Sequence, residues 1–545
     1  MLRQMTATCK NEMNILIGGA WPYANGSLHI GHIAGLLPGD IIARYYRAKK
    51  DNVFYVSGTD CHGTPICIKA KKENTSPQQI CDKYHNEFTE VFNRLGFSYD
   101  LYGKTTDKWH IDFVQNFHKE LYKSKYVYEL DSPSAYCNNC DKPLTDRLVI
   151  GTCPICGNET NGEQCDFCTT VNDVTSIKNP ICSECKNPVF FYNTKHLYIA
   201  ISKLENQLRK YLDKHNNWRK NAIAFTKRYI DEGLKDRAIT RDLEWGIEVP
   251  KQGYEKKRIY IWAENVLGYL SASKVLCEKR DIPFSDLWKD NSRHYYVHGK
   301  DNIPFHTIIL PSLLLAHNQY THLPDDIISN EHLTLEGRKI STSKNWAIWA
   351  KDIVEKYNPD SIRYFLTANG PEKRDTDFTW REFTERNNSE LLGTYGNFVN
   401  RTLLFTKKYQ NSIVPKGVSD IAINKLIENT FIGVSGKIEE GRLKEALEEI
   451  FSLIRFGNKY YDTLEPWKTR LNNQKECDNA IYNCTQIIAN AAVLLKPFIP
   501  FSSEKVQSWL NLDDGWSIKK VEAGYTLPEI SILFERISIP SQPLP

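Results

Sequence analysis

Eight cysteines stand in four Cys-x-x-Cys pairs, Cys137/Cys140, Cys153/Cys156, Cys165/Cys168 and Cys182/Cys185, all inside residues 137–185. No other feature limits the fold as tightly. A disulfide framework belongs to small secreted domains that lack a core, whereas this patch is a small part of 545 residues. Pairs at ligand spacing read instead as two four-cysteine zinc sites, in a chain kept in a reducing compartment. Four thiolates leave a tetrahedral ion no open position, so both sites are structural. The other seven cysteines, Cys9, Cys61, Cys67, Cys81, Cys277, Cys477 and Cys484, are scattered. Four copies in a loop-rich block do not resemble a strand–helix redox site. Spacing alone allows the pairs to partner in nested or in sequential order.

The chain is far longer than a zinc module. At roughly 150 residues per domain its length predicts three to four domains. Hydrophobic residues at 41% and charged residues at 25% allow ordinary cores and exclude a disordered tail. No run of about 18 apolar residues occurs, so no membrane contact is expected. The first residues lack the apolar stretch of a secretory signal, and a cytoplasmic location is expected. A net charge of +4 permits nucleic-acid binding through a local patch without demanding it.

Periodicity gives the organisation. Residues 14–18 are an apolar run entering a glycine pair, the pattern of a buried strand. Ile30, Ile33, Leu37, Ile41 and Tyr45 then recur at helical spacing between Ser27 and Lys50, and residues 52–56 read as the next strand. Strand, helix and strand make the unit of a parallel sheet. Helices are predicted at 78–95 and 108–123. Strand-like segments at 189–192 and 197–201 follow the cysteine block. Further strands are predicted at 258–262 and 294–298, then a helix over 304–317. The fold class is therefore α/β, with a Rossmann-type parallel sheet split by a zinc-binding insertion. From Thr379 to Trp509 the period is helical, with breaks near Pro415, Pro466 and Pro497, which predicts an all-α bundle.

Two segments carry chemistry. The first, residues 22–32, ends in His29-Ile30-Gly31-His32 and joins the first strand to the first helix. A helix N-terminus offers unpaired N–H groups and partial positive charge, and so attracts phosphate. His29 and His32, three apart, are expected on one helix face. Gly31 lets a ligand approach the backbone. The second segment is Gly337-Arg338-Lys339-Ile340-Ser341-Thr342-Ser343-Lys344, whose charges and hydroxyls suit a polyphosphate. Taken singly, each also has a plain reading: a glycine turn with two ordinary histidines, and a solvated basic turn.

Together they resemble the His-Ile-Gly-His and Lys-Met-Ser-Lys-Ser pair of class I aminoacyl-tRNA synthetases. With 306 residues between His32 and Lys339 there is no room for the editing insertion of the leucine, isoleucine and valine enzymes. The cysteine block, Gly58-Thr59-Asp60-Cys61-His62-Gly63-Thr64-Pro65 and Gly299-Lys300-Asp301-Asn302-Ile303-Pro304-Phe305-His306 resemble the methionyl-tRNA synthetase family over nearly the whole chain. The resemblance implies a catalytic Rossmann domain at 1–125 and 236–325 and a connective insertion at 126–235. A loop and stem-contact region at 326–390 and a helical anticodon-binding domain at 391–545 complete it. The resemblance also implies nested zinc sites, Cys153/Cys156 with Cys165/Cys168 inside Cys137/Cys140 with Cys182/Cys185.

For the active site, the resemblance implies ATP binding by Gly26, His29, Gly31, His32, Gly299, Asp301, Lys339, Ser341, Ser343 and Lys344. His29, His32 and Lys339 are the implied catalytic groups, and Mg²⁺ is expected to accompany ATP. Trp21, Tyr23, Trp262, Tyr269 and His306 would enclose methionine, whose thioether suits aromatic walls. Asp60 and Arg241 would meet its amino and carboxylate ends, and Asp301 the ribose. Trp467, after Pro466, would stack on the anticodon. The implied reaction makes methionyl-adenylate and pyrophosphate, then transfers methionine to tRNA(Met). A monomer is expected.

Three departures stand out. Thr342 replaces the second lysine of the family's loop, with Lys344 two residues on. Glu264-Asn265-Val266 replace an Asp followed by small residues. Residues 390–394 lack the Asn and Arg that many bacterial members use for the anticodon. Two other readings follow from these changes, a class I ligase for another amino acid and a tRNA-binding paralogue that activates none. Finally, Met1, Met5 and Met13 are the only methionines. Such a chain draws little on the amino acid it is implied to handle.

Overall fold

The computed structural model describes residues 13–144, 148–162, 165, 167–168, 170, 172, 174–289, 292–342 and 344–540. Its centre is a five-stranded parallel sheet. The strands lie in the order Asp326–Asn330, Ser292–Gly299, Asn14–Gly19, Asn52–Thr59, Leu101–Lys104. Asn14 pairs with Ser292 on one side and Asn52 on the other. The first strand is thus central, and the order reverses between it and 292–299. In such doubly wound sheets ligands bind at that switch point, beyond the strands' carboxyl ends.

The continuous apolar runs have a simple cause. Successive side chains on a strand point to opposite faces, and both faces are covered. Ile15, Ile17, Val53, Tyr55, Tyr295 and Val297 enter one core, which extends into the helical region as far as Phe534. Leu16, Phe54, Val56 and Tyr296 enter a second core, shared with Leu197, Ile199 and Trp288. Gly18 is required here, because a Cβ on it would meet the Tyr269 ring at 2.6 Å.

The insertion hangs on a long antiparallel ribbon, Val127–Cys137 against Phe190–Ile199. At its tip a three-stranded sheet, residues 149–152, 159–161 and 178–182, packs a small core of its own around Ala135, Leu144, Val149 and Ile177. The two strands predicted at 189–192 and 197–201 are one. The polar link Asn193-Thr194-Lys195 continues the ribbon and buries neither face, so no hydrophobic pattern marks it.

Two further expectations change. The predicted strand 258–262 is only a two-residue pairing, Arg258–Ile259 with Thr240–Arg241, followed by a helix Ile261–Asn265 that turns Trp262 onto Phe305. The helix predicted over 304–317 begins as a π-turn, Phe305–Ile309, before regular helix Leu310–His317. Pro311, with no N–H to donate, breaks the usual ladder there.

The C-terminal bundle contains helices Asn397–Tyr409, Ile421–Glu439, Leu443–Leu464 and Gln474–Leu495. One buried ion pair fastens it to the sheet. Arg363 donates to Asp40 Oδ2 at 2.7 Å, and to the carbonyls of Leu95, Pro497 and Phe498. Burial pushes the Asp40 carboxyl up, but Arg363, Arg44 and Ser98 outweigh it and hold it at about 2.

Candidate active site

The first helix runs Ile30–Ala48, so His29 lies outside it, as its extended N-cap. The two histidines therefore do not share a helix face, as expected from spacing, but close a capping box. Gly31 N–H donates to His29 Nδ1 and His29 N–H to His32 Nδ1, both at 3.1 Å. The rings lie 3.8 Å apart. Burial lowers both pKa values, His32 to about 4, and His32 further lowers that of His29. Because each neutral ring accepts through Nδ1, its proton sits on Nε2. The helix start thus presents two Nε2–H donors, its own first N–H groups being taken by Ile348 O, His29 Nδ1 and His29 O.

The second segment folds over this point. Ile30 N–H donates to Ile348 O and Ala350 N–H to Leu28 O, bridging His29 to Trp349. Ser341 and Trp346 exchange backbone hydrogen bonds at 2.9 Å, closing a hairpin around Thr342 and Lys344. Ile340 reaches within 3.5 Å of a Cβ built on Gly31. Lys339, Thr342 and Lys344 are exposed. Ser343 lies outside the described residues. At the neighbouring strand end, Asp301 accepts from His332 at 3.1 Å. Burial raises its pKa, but His332, Lys339 and Lys300 outweigh that and keep it ionised. A Cβ built on Gly26 or Gly299 meets nothing within 4 Å, so both border open space.

The residues expected around methionine are neighbours. Tyr23 is bridged to Asp60 and meets Trp262 edge-on at 6.1 Å. Trp262 stacks on Phe305 at 3.6 Å, and these two line one largely apolar cavity with Arg241 and Tyr260. Tyr269 OH donates to neutral His306 Nε2 at 2.8 Å, and burial lowers His306 to about 4. Trp21 is packed flat against Gly58 and Gly268, where any Cβ would strike its ring.

Each cysteine quartet gathers its Sγ atoms within 4.8 Å of one another: Cys137, Cys140, Cys182 and Cys185, and Cys153, Cys156, Cys165 and Cys168. The nested arrangement holds and the sequential one does not. Sγ separations of 3.4 Å (Cys137–Cys185), 4.0 Å (Cys140–Cys182), 3.8 Å (Cys153–Cys168) and 3.6 Å (Cys156–Cys165) bracket the ~3.8 Å edge of a tetrahedron with ~2.3 Å Zn–S bonds. The residues present fit two metal ions.

In the bundle, Trp467 is 40% exposed, which excludes a fully packed core role. It lies 5.7 Å from Tyr461, and the Arg401 guanidinium sits 4.3 Å above that same ring. Arg401 lies beyond residues 390–394, where the family resemblance placed the anticodon contacts. The signal was a basic residue one helical turn after Asn397. Among the described residues no helix is long and apolar enough to cross a membrane.

A family model described as tRNA synthetases class I (M) matches residues 15–403, and one described as the anticodon binding domain of methionyl tRNA ligase matches residues 415–538. The switch-point sheet, capped helix and basic loop are those of a class I aminoacyl-tRNA synthetase. Methionine–tRNA ligase 1 of Alkaliphilus oremlandii is 51% identical, covering 96% of this chain and 97% of that protein. Methionine–tRNA ligase of Bacillus cereus is 49% identical, with 97% of each covered. The fold is similar to Mycobacterium tuberculosis methionyl-tRNA synthetase in complex with methionyl-adenylate, with a TM-score of 0.81 at 20% identity over 96% of this chain and 100% of that one. The chain belongs to the methionyl-tRNA synthetase family.

Proposed function

We propose that this chain is a methionine–tRNA ligase that forms methionyl-adenylate from methionine and ATP, then transfers methionine to the 3′ end of tRNA(Met). The observation that carries the reading is the junction of the two motifs, with two neutral Nε2–H donors at a helix start closed over by a basic loop. Methionine's carboxylate attacks the α-phosphorus of ATP and pyrophosphate leaves. A tRNA 2′-hydroxyl then attacks the new carbonyl and AMP leaves. Neither step needs a covalent bond to the protein, so its work is positioning and charge stabilisation. Magnesium enters with ATP as part of the substrate.

In this reading His29 and His32 donate to phosphate oxygens as neutral groups and relay no proton. Lys339, Ser341, Ser343 and Lys344 hold the departing phosphates, with Thr342 adding a hydroxyl but no charge. Asp301 accepts from ribose, Asp60 takes the substrate ammonium and Arg241 its carboxylate. Trp21, Tyr23, Trp262, Tyr269 and His306 shape the side-chain pocket. Two zinc ions hold the insertion as cross-links. Trp467, beside Arg401, stacks on an unpaired anticodon base, as aromatic faces near cations do. The enzyme works as a cytoplasmic monomer. ATP–pyrophosphate exchange with a panel of amino acids tests the reading. Exchange driven by methionine alone supports it. Exchange driven by another amino acid, or none with tRNA binding kept, replaces it.

A further inference from the structure

Beneath the amino-acid pocket lies a buried polar cluster that the reaction above does not use. Glu264, on the helix Ile261–Asn265, is fully buried. His62 Nδ1 donates to its Oε1, and His110 Nε2 lies 3.8 Å from that same oxygen. His110 is fixed in turn by Ser271 at 2.8 Å. His62 stands edge-on to Trp245, whose Nε1 donates to Cys61 O at 2.6 Å. Three elements, the 60–63 turn, the helix Lys108–Leu121 and the helix bearing Glu264, therefore meet at one carboxylate.

What this holds in place is Asp60. The His62 backbone N–H donates to Asp60 Oδ1 at 3.2 Å, and Oδ2 is fully buried with no donor at full hydrogen-bond geometry. The buried side-chain amide of Asn265, one residue after Glu264, faces the Asp60 carboxyl and lowers its pKa, without closing a full hydrogen bond to it. A buried carboxylate oxygen so weakly served by donors is costly, and a cationic ligand lowers that cost.

We propose that Glu264 is a positioning residue for the substrate's amino group: through His62 it fixes the turn that aims Asp60 Oδ2, and its charge adds to the field that the ammonium enters. The inference rests on the reading of Asp60 as the ammonium's partner. Glu264 stays ionised because His62 and His110 outweigh the burial that would raise its pKa. Asp60 is raised well above the ordinary carboxylate range, by burial first and by Glu264 second. The other titratable groups around the two carboxylates are Cys61, Cys81 and His118, and none supplies a fixed positive charge.

The sign follows. A protonated Asp60 cannot pair with the ammonium, so kcat/KM for methionine falls on the acid side, through Asp60's raised pKa. Neutralising Glu264 removes one cause of that rise and moves the acid limb to lower pH. It also weakens the field, so the plateau drops.

Methionine-dependent ATP–pyrophosphate exchange on the full chain, followed across pH, tests this. In Glu264→Gln the methionine KM is expected to rise about tenfold, with kcat and the KM for ATP within about twofold, and the acid limb to move down. In Glu264→Asp, which keeps the charge but withdraws it from His62, KM is expected to rise about threefold with the limb unmoved. A wild-type KM and limb in the Gln variant overturns the proposal, as does a parallel loss of kcat and ATP binding. Should the Gln variant not fold, a wild-type KM in the Asp variant overturns it. Asp60→Asn separates the underlying reading, because an unchanged methionine KM there removes Asp60 as the ammonium's partner whatever Glu264 does.

Discussion

At the scale of single residues, the two histidines show how backbone chemistry sets side-chain chemistry. Each spends Nδ1 on a helix-start N–H, which fixes its tautomer and leaves Nε2–H to the ligand. Loss of one preorganised donor costs roughly 3–4 kcal/mol, about 10²–10³-fold. His29→Ala and His32→Ala are therefore expected to cut kcat for adenylate formation by that factor, with less effect on methionine KM. Unchanged exchange rates in both would remove them from the phosphate site. Thr342→Lys asks whether exposed Lys344 already supplies the missing charge: a faster rate means it does not, a flat rate means it does. Much of this was legible in sequence, because His29, Gly31 and Lys339 stand at fixed places relative to strand and helix signals. The capping box was not, since histidine is not an ordinary N-cap residue and spacing alone put both rings on one face.

Among elements, the insertion contrasts with the sheet. Residues 14–18 and 52–56 were readable because both faces are buried and the apolar run is unbroken. The link Asn193-Thr194-Lys195 buries neither face and carried no pattern. Cys-x-x-Cys spacing told that two ions could bind and left the partners open; the family resemblance implied the nested order, and the fold gathers the sulfurs that way. The insertion's own core is small, around Ala135, Val149 and Ile177, so ions bound at the two quartets would supply much of its folding energy. Purified protein is expected to hold two zinc ions per chain, and Cys153→Ser to lose one and make the 149–182 region sensitive to protease. A wild-type metal count in that variant would remove Cys153 as a ligand. In the bundle, Pro466-Trp467 is a local pair in the sequence, whereas Arg401 is distant in sequence and meets the same Tyr461 ring through the fold. Base stacking is worth roughly 1–3 kcal/mol, so Trp467→Ala is expected to lower aminoacylation about 5- to 150-fold. Methionine-dependent exchange, which needs no tRNA, is expected to stay near wild type. A parallel fall in both would make Trp467 a packing residue.

Across the whole molecule, the sheet and the bundle are held by Arg363 and Asp40, both fully buried. Removing one partner of such a pair strands the other charge and costs about 3–5 kcal/mol. Arg44 also pairs with Asp40 at 2.8 Å, so Arg363→Met is expected near the lower end, read as a lower denaturant midpoint. The pair also fixes an acid dependence. The Asp40 pKa is depressed to about 2 in the fold, against about 3.9 unfolded. Its contribution is therefore complete above pH ~4 and is lost as pH falls toward ~2. In Arg363→Met that part of the acid transition is expected to shrink. The core under the first strand passes without interruption from Ile15 through Phe365 to Ile488 and Phe534, while the insertion keeps a separate one. Heat has no seam along which to part the chemistry from the anticodon end. Calorimetry of the metal-loaded chain will show the two melting as a single cooperative unit, and a chelator will detach from that endotherm only the small contribution of the cysteine tip.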